Sequence, residues 1–279
     1  LLTLVIPNAY GGANYGPLSN TSETYKTFTG RGVDAATAQN IVQQIPLYWG
    51  DQPIMGGPNY IGAIVFFLFI LGLFIVKNPL KHWAAGVIVL YVIWALGKSF
   101  AGINYLFFDY FPMTMVISLA QLLMVMVGVM AISTLVQKKI TAKEFQKPFL
   151  ISAGITGGLM LIMALLPGVF FSFKGANDGQ FAQQFSQMAQ DQAFGQQVMN
   201  AIVQDRESLM KSDAIRGLIF IALAAALVWF YAQDKLKAIV FYSALLVLVI
   251  FDLFGVDKRY LNNEDFVSAY VAQGVTTPS

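Results

Sequence analysis

Six apolar stretches, at residues 59–76, 83–97, 114–136, 149–171, 215–231 and 237–254, constrain this chain more than any other feature. The hydrocarbon core of a bilayer is about 30 Å thick and takes roughly 20 helical residues to cross, somewhat fewer where the bilayer thins or flanking residues snorkel. No water reaches the backbone there, so a crossing segment must satisfy its own amides as a helix. The pattern predicts an all-α polytopic membrane protein with six transmembrane helices, extracytoplasmic loops and surface helices. Composition agrees: 57% of the 279 residues are hydrophobic and only 11% charged, against about 25% charged in a soluble domain.

The connections between the stretches alternate in charge. Loop 77–82 carries Lys77 and Lys81, loop 137–147 carries Lys138, Lys139, Lys143 and Lys147, and loop 232–237 carries Lys235 and Lys237. These three short connections hold 8 of the 17 lysines and arginines, so the positive-inside rule places all three in the cytoplasm. The opposite face then receives segment 1–58, loop 98–113, loop 172–214 and a tail, 255–279. The expected organisation is an outer segment 1–58, spans one to four over 59–171, an outer amphipathic loop 172–214, spans five and six over 215–254, and the outer tail. The opening Leu1-Leu-Thr-Leu-Val-Ile6 is too short for a signal peptide, and a start at leucine is expected either of a mature protein that begins here or, the preferred reading, of one part of a longer polypeptide.

Several function classes are excluded by residue type. A net charge of +2 with no basic run interleaved with aromatics leaves no nucleic-acid partner. The absence of cysteine removes disulfides, thiolate metal sites and cysteine nucleophiles, and His82 is the only imidazole. No Walker loop, dinucleotide fingerprint, His-Glu-x-x-His or Ser/His/Asp set is present. No cofactor is indicated, and a divalent metal would have to be held by outer carboxylates from separate loops.

Specific polar chemistry is therefore expected in the outer segments. Asp34 is placed to cap a helix over 34–45. The rigid turn Pro46-Leu-Tyr-Trp-Gly-Asp-Gln-Pro53 leads into the first span, where Tyr48, Trp49 and Tyr60 suit either the headgroup level or a sugar-stacking surface. Residues 180–210 read as an outer amphipathic helix or helix pair broken at Gly195, lying along the membrane surface or, as its glutamine-rich polar face favours, roofing a cavity. Charge is densest in Asp205-Arg206-Glu207-Ser-Leu-Met-Lys211-Ser-Asp213-Ala-Ile-Arg216, just outside the fifth span. Asp213 is placed to cap that span. Arg216, an arginine at the outer end of a spanning helix, needs a local partner: a phosphate, with Lys211 adding charge, or an intrachain carboxylate, Asp213 or Asp252. Lys258-Arg259 suit headgroup phosphates or the exit of the chain. Asp109, in the aromatic loop Asn104–Pro112, and Asp51 beside Gln52 are the remaining outer carboxylates of interest. Gly154 and Gly158 form a small-residue packing face on the fourth span, and Met113, Met115, Met124, Met126 and Met130 fill core on the third.

Four separated motifs carry a resemblance. Tyr48-Trp-Gly-Asp-Gln-Pro53, Gly57-Pro-Asn-Tyr-Ile-Gly-Ala63, the block from Asp205-Arg206 to Asp213-Ala-Ile-Arg216, and Asp252-Leu-Phe-Gly-Val-Asp-Lys-Arg-Tyr-Leu261 together resemble the YfhO family of large bacterial membrane proteins in its Bacteroidetes-type form. The resemblance implies a GT-C-like fold in the bacterial inner membrane and a glycosyltransferase that takes sugar from a polyprenyl-phosphate donor. Family members are longer, with further spans before this region. The usual GT-C catalytic acid belongs to a first outer loop that would precede Leu1, and the join after Met113 lacks a stretch resembling Phe-Pro-x-Tyr-Asn-Lys-Phe-Arg.

The leading expectation is transfer of sugar from a lipid-phosphate donor to an envelope acceptor. Arg206, Lys211 and Arg216 would hold the phosphate, and Tyr48, Trp49, Asp51, Tyr60 and Asp109 would line the sugar or acceptor site, with the catalytic residue unassigned. A second expectation is a non-catalytic membrane subunit or scaffold with envelope protein partners, in contact with membrane lipid. A transporter fits less well, because the spans carry few polar groups beyond Gln121.

Overall fold

The computed structural model describes residues 2–12, 18–50, 57–96, 102 and 117–261. Among these residues the regular structure is helical, with no strand. After a 3-10 turn at Leu2–Leu4 come α1 (Glu23–Gly30), α2 (Ala35–Val42), α3 (Ala63–Ile75), α4 (Leu80–Ala95), α5 (Ile117–Val136), α6 (Ala142–Leu165), α7 (Pro167–Phe170), α8 (Asp178–Ala189), α9 (Gln192–Ala232) and α10 (Ala238–Asp257).

Four of these, α5, α6, α9 and α10, are long and apolar enough to cross a membrane. α3 and α4 are apolar but have 13 and 16 residues, about 20 and 24 Å of helix. Four of the six expected spans thus appear at full length, and the stretches expected at 59–76 and 83–97 form shorter apolar helices. The bundle wears its hydrophobic residues on the outside: Leu122, Val129, Leu150, Ile239 and Leu246 are each more than half exposed. Helices apolar all round belong in lipid.

Two hydrophobic cores stack along the molecule. The bundle core is built on α3, whose Ile64, Phe67, Leu71 and Ile75 are buried against α5, α6, α9 and α10. The second core lies in a cap of α1, α2, α8 and the first half of α9, where Phe28, Val42 and Ile45 meet Phe194, Val198 and Ile202. α9 belongs to both. Its 41 residues make a rod of about 62 Å, twice what a bilayer needs.

This continuity corrects two expectations. Gly195 does not break the helix. The chain turns at Gln190, which takes a left-handed φ of 53°, and Asp191 restarts it by accepting from the Ala193 and Phe194 amides. Gly195 is a glycine because a Cβ there would run into the Ala182 carbonyl and the Ser186 side chain of α8. Asp213 caps nothing, since it lies mid-helix. Nor does the apolar face of 180–210 roof an open cavity, for it is filled by α1 and α2. The expected helix at 34–45 is α2, with Asp34 accepting from the Thr37 amide.

The packing glycines also differ from expectation. A Cβ on Gly154 or Gly158 would meet nothing within 4 Å, and the buried stripe of α6 is Phe149, Ser152, Thr156 and Met160. The close approach is between α3 and α5, where a Cβ on Gly72 would lie 2.6 Å from the Val127 carbonyl and one on Gly128 3.3 Å from Leu68. Of the expected core methionines, Met124 is buried and Met126 and Met130 pack against the core; Met113 and Met115 lie outside the described residues.

The three lysine-bearing connections gather at the end of the bundle away from the cap. One cavity joins Val76–Asn78 to Lys139, and another joins Lys138 to Asp234. Gly72→Val is expected to lower the melting temperature in detergent, overpacking at a backbone contact costing about 1–3 kcal/mol, whereas Gly154→Val leaves it unchanged. Equal losses would show that the α3–α5 contact is not the tight one.

Candidate functional site

The charged block on α9 meets the cap and the adjoining end of the bundle at four levels. Asp205, 5% exposed, accepts from the Glu23 and Thr24 amides at 2.8 Å each. It thereby satisfies the first turn of α1 from 182 residues away, a charge the helix terminus favours. Arg206 is 1% exposed. Its fork donates to both oxygens of Asp178 at 2.7 and 3.0 Å, and to the Phe173 and Pro46 carbonyls at 2.9 Å. Asp178 also accepts from the Gly175 amide, so the loop before α8 is wrapped on this one guanidinium.

Two turns further, Asp213 accepts from the Asn8 amide at 2.9 Å and from Arg259 at 2.7 Å. Tyr260 donates its hydroxyl to Asn8. Burial, and then the Asp213 carboxylate, push that hydroxyl up to about 12, which keeps it protonated and donating. Arg216 pairs with Asp252 of α10 at 3.1 Å and also donates to the Asp252 carbonyl. Asp252, 1% exposed, accepts from the Tyr60 hydroxyl at 2.7 Å and the Ile64 amide at 3.4 Å; Tyr60 Oη in turn accepts from the Ala63 amide. The start of α3, the end of α10 and the middle of α9 therefore close on one polar knot. The Arg216 guanidinium stands over the rings of Phe220 and Tyr60 at 5.0 and 5.9 Å, and its Nη1 has no hydrogen-bond partner among the described residues.

The expected phosphate cradle is not assembled by these placements. Arg206, Lys211 and Arg216 are five residues apart on one helix, so each is turned about 140° from the last. Arg206 faces the loop before α8, Lys211 pairs with Glu207 on the surface at 2.7 Å, and Arg216 faces α10. Of the two carboxylates weighed for Arg216, the structure selects Asp252, while Asp213 is taken by Arg259. Lys258 lies over the Phe254 ring.

Trp49 is not an open stacking platform, for its ring is tiled by Tyr10, Phe171 and Phe173 at 4.8, 5.8 and 5.3 Å. Tyr48 beside it is half-buried, and Tyr60 is committed to Asp252. Asp51 and Asp109 lie outside the described residues. Among the described residues no three His, Asp or Glu side chains converge on a metal position. Sequence reasoning missed Asp178, Asn8 and the capping role of Asp205. Asp178 sits in a polar Lys-Gly-Ala-Asn-Asp run that gives no sign of a distant partner. Comparison of the chain with protein-family models, curated proteins and solved structures finds no match in any of the three.

Two outcomes are expected. Arg206→Met leaves Asp178 and two carbonyls without their donor, and breaking a buried pair in this way costs about 3–5 kcal/mol. Limited proteolysis should then cut at 173–191 before the bundle yields. The second concerns Asp191, whose carboxyl is held below its ordinary 3.8 by the hydrogen bond from Arg31 and then by the Phe194 amide. A depressed carboxyl stabilises the fold above its unfolded value and loses that contribution as pH falls through the folded one. The cap should therefore loosen below about pH 4, and Asp191→Asn should flatten that part of the acid transition followed by hydrogen exchange in α8.

Proposed function

We propose that this chain forms part of a bacterial inner-membrane glycosyltransferase of the YfhO type. On this reading it takes a sugar from a polyprenyl-phosphate donor at the extracytoplasmic rim and passes it to an envelope acceptor. The shorter α3 and α4 count as the remaining two of six spans, and the cap lies on the extracytoplasmic side opposite the lysine-bearing loops.

One observation carries the reading: Arg216 sits at the cap–bundle boundary with Asp252 and Tyr60, and its Nη1 is buried there with no hydrogen-bond partner among the described residues. Transfer breaks the bond between the sugar C1 and the phosphate oxygen and forms one from C1 to the acceptor oxygen. The acceptor hydroxyl loses its proton to a carboxylate, and the phosphate leaves as an anion. A fixed guanidinium at that rim stabilises the departing charge. Asp252 sets the guanidinium's orientation. Arg206 is assigned to holding the cap, and the proton acceptor is assigned to a carboxylate other than Asp178, Asp205, Asp213 and Asp252, which are engaged within the fold.

That same engagement favours a second reading, a scaffold subunit whose charges serve its own architecture and whose cap receives envelope proteins. Transfer of labelled sugar from polyprenyl phosphate by the full-length protein in proteoliposomes separates the two. The transferase reading expects Arg216→Lys, which keeps the charge but not the planar fork, to lower transfer by roughly 10²-fold in protein that still shows a cooperative thermal transition. Unaffected transfer would remove Arg216 from the reaction, and no transfer by the unaltered protein would leave the scaffold.

A further inference from the structure

At the bundle end away from the cap, a cavity of about 450 Å³ opens between the α3–α4 connection and the last turn of α5. Its lining is Val76, Lys77, Asn78, Met130, Ser133, Thr134 and Lys139. The polar groups in it are mostly donors with capacity to spare. Asn78 spends its carbonyl oxygen on the Leu80 amide, which leaves its NH₂ to donate. Ser133 accepts from Gln137, which leaves its own proton. Thr134 is the exception, since its hydroxyl donates to the Met130 carbonyl. Lys77 is exposed and only 4.0 Å from its nearest carboxylate, Glu144, which is itself held by the Thr141 amide and hydroxyl. Two lysines, an asparagine and a serine with donors to spare thus line one space, which is the chemistry of an anion site.

The cavity is continued by an apolar track. Ser133 lines it, and Val129, Val125 and Leu122 lie three or four residues apart below Ser133 on the same face of α5. All three are exposed. A stripe about 17 Å long, by 1.5 Å per residue from Leu122 to Ser133, therefore runs along the outside of the bundle and ends at the lysines. An inorganic anion needs the upper half only. A molecule with a phosphate and a long hydrocarbon chain needs both.

The geometry points to an anionic glycerophospholipid bound here, its phosphate on Lys77 and Lys139 with Asn78 and Ser133 donating, and its acyl chain along Val129, Val125 and Leu122. The lipid is held from the leaflet opposite the cap and ties the α3–α4 connection to the end of α5. It is separate from the donor lipid proposed for the cap side, and neither assignment depends on the other.

The test uses the full-length protein purified in a neutral detergent and titrated with dioleoyl phosphatidylglycerol, dioleoyl phosphatidylcholine or inorganic phosphate, with binding read by native mass spectrometry. Phosphatidylglycerol is expected to bind more tightly than the other two. A lysine near an anionic lipid contributes roughly fivefold in affinity, so Lys77→Gln with Lys139→Gln should weaken phosphatidylglycerol about 30-fold. Lys235→Gln with Lys237→Gln removes the same charge from the same end and should leave binding unchanged. All four lysines are on exposed connections, and an unchanged melting temperature establishes that each pair of substitutions folds. Equal losses in the two double variants would reduce the effect to general surface charge and overturn the site. Equal binding of the two phospholipids would overturn the anionic assignment. Inorganic phosphate binding as tightly as the lipid would overturn the role of the apolar track.

Discussion

A buried charge on a helix must find a partner, and four of the six charged residues of α9 between 205 and 216 are buried or largely so. Asp205, Arg206 and Asp213 are buried and Arg216 nearly so. An unpaired ion there would cost several kcal/mol, so each pulls a remote segment onto the rod: α1 to Asp205, the loop before α8 and Pro46 to Arg206, Asn8 and Arg259 to Asp213, α10 and the start of α3 to Asp252 through Arg216. Elements far apart in the chain reach the same few turns of one helix. The cap is fixed relative to the bundle because both are tied to that helix.

Below this polar belt the constraint changes. Lipid-facing helices gain little from hydrophobic association with each other, so contact depends on close van der Waals fit. α3 and α5 achieve it where Gly72 lets the Val127 carbonyl approach, with Gly128 facing Leu68. The aromatic rings of Phe67, Phe149 and Trp229 fill the wider gaps between α3, α6 and α9, at 5.0 and 6.2 Å between centroids. α3 is short and surrounded, which is the geometry of a helix shielded by its neighbours.

The polar belt and the apolar bundle meet at Arg216. Its carboxylate partner keeps the guanidinium from migrating, and the Phe220 and Tyr60 rings limit its tilt. A cation held in one orientation by fixed partners is preorganised, which is the physical basis for proposing a role for it in transfer. Arg206, more deeply buried, gives its two terminal nitrogens to Asp178 and two carbonyls, while its Nε is likewise buried without a partner among the described residues.

What the sequence by itself determined were properties carried by local pattern. Apolar run length set the membrane character of α5, α6, α9 and α10, and alternating lysines grouped three connections at one end. The Asp34 cap placed α2 to within three residues of its end, because a cap acts over one turn. Pairing was decided by tertiary structure. Nothing near Asp213 in the chain shows that its partners are Asn8 and Arg259, and the same holds for Arg206 with Asp178. The helix break followed suit: Gly195 looked like a terminus by residue type, but its small size is used against α8, and the turn fell at Gln190. Local composition fixes whether a segment is helical and what solvent it prefers. Which charge meets which, and which glycine is a contact rather than a stop, depends on groups brought together only when the rod and its attachments close.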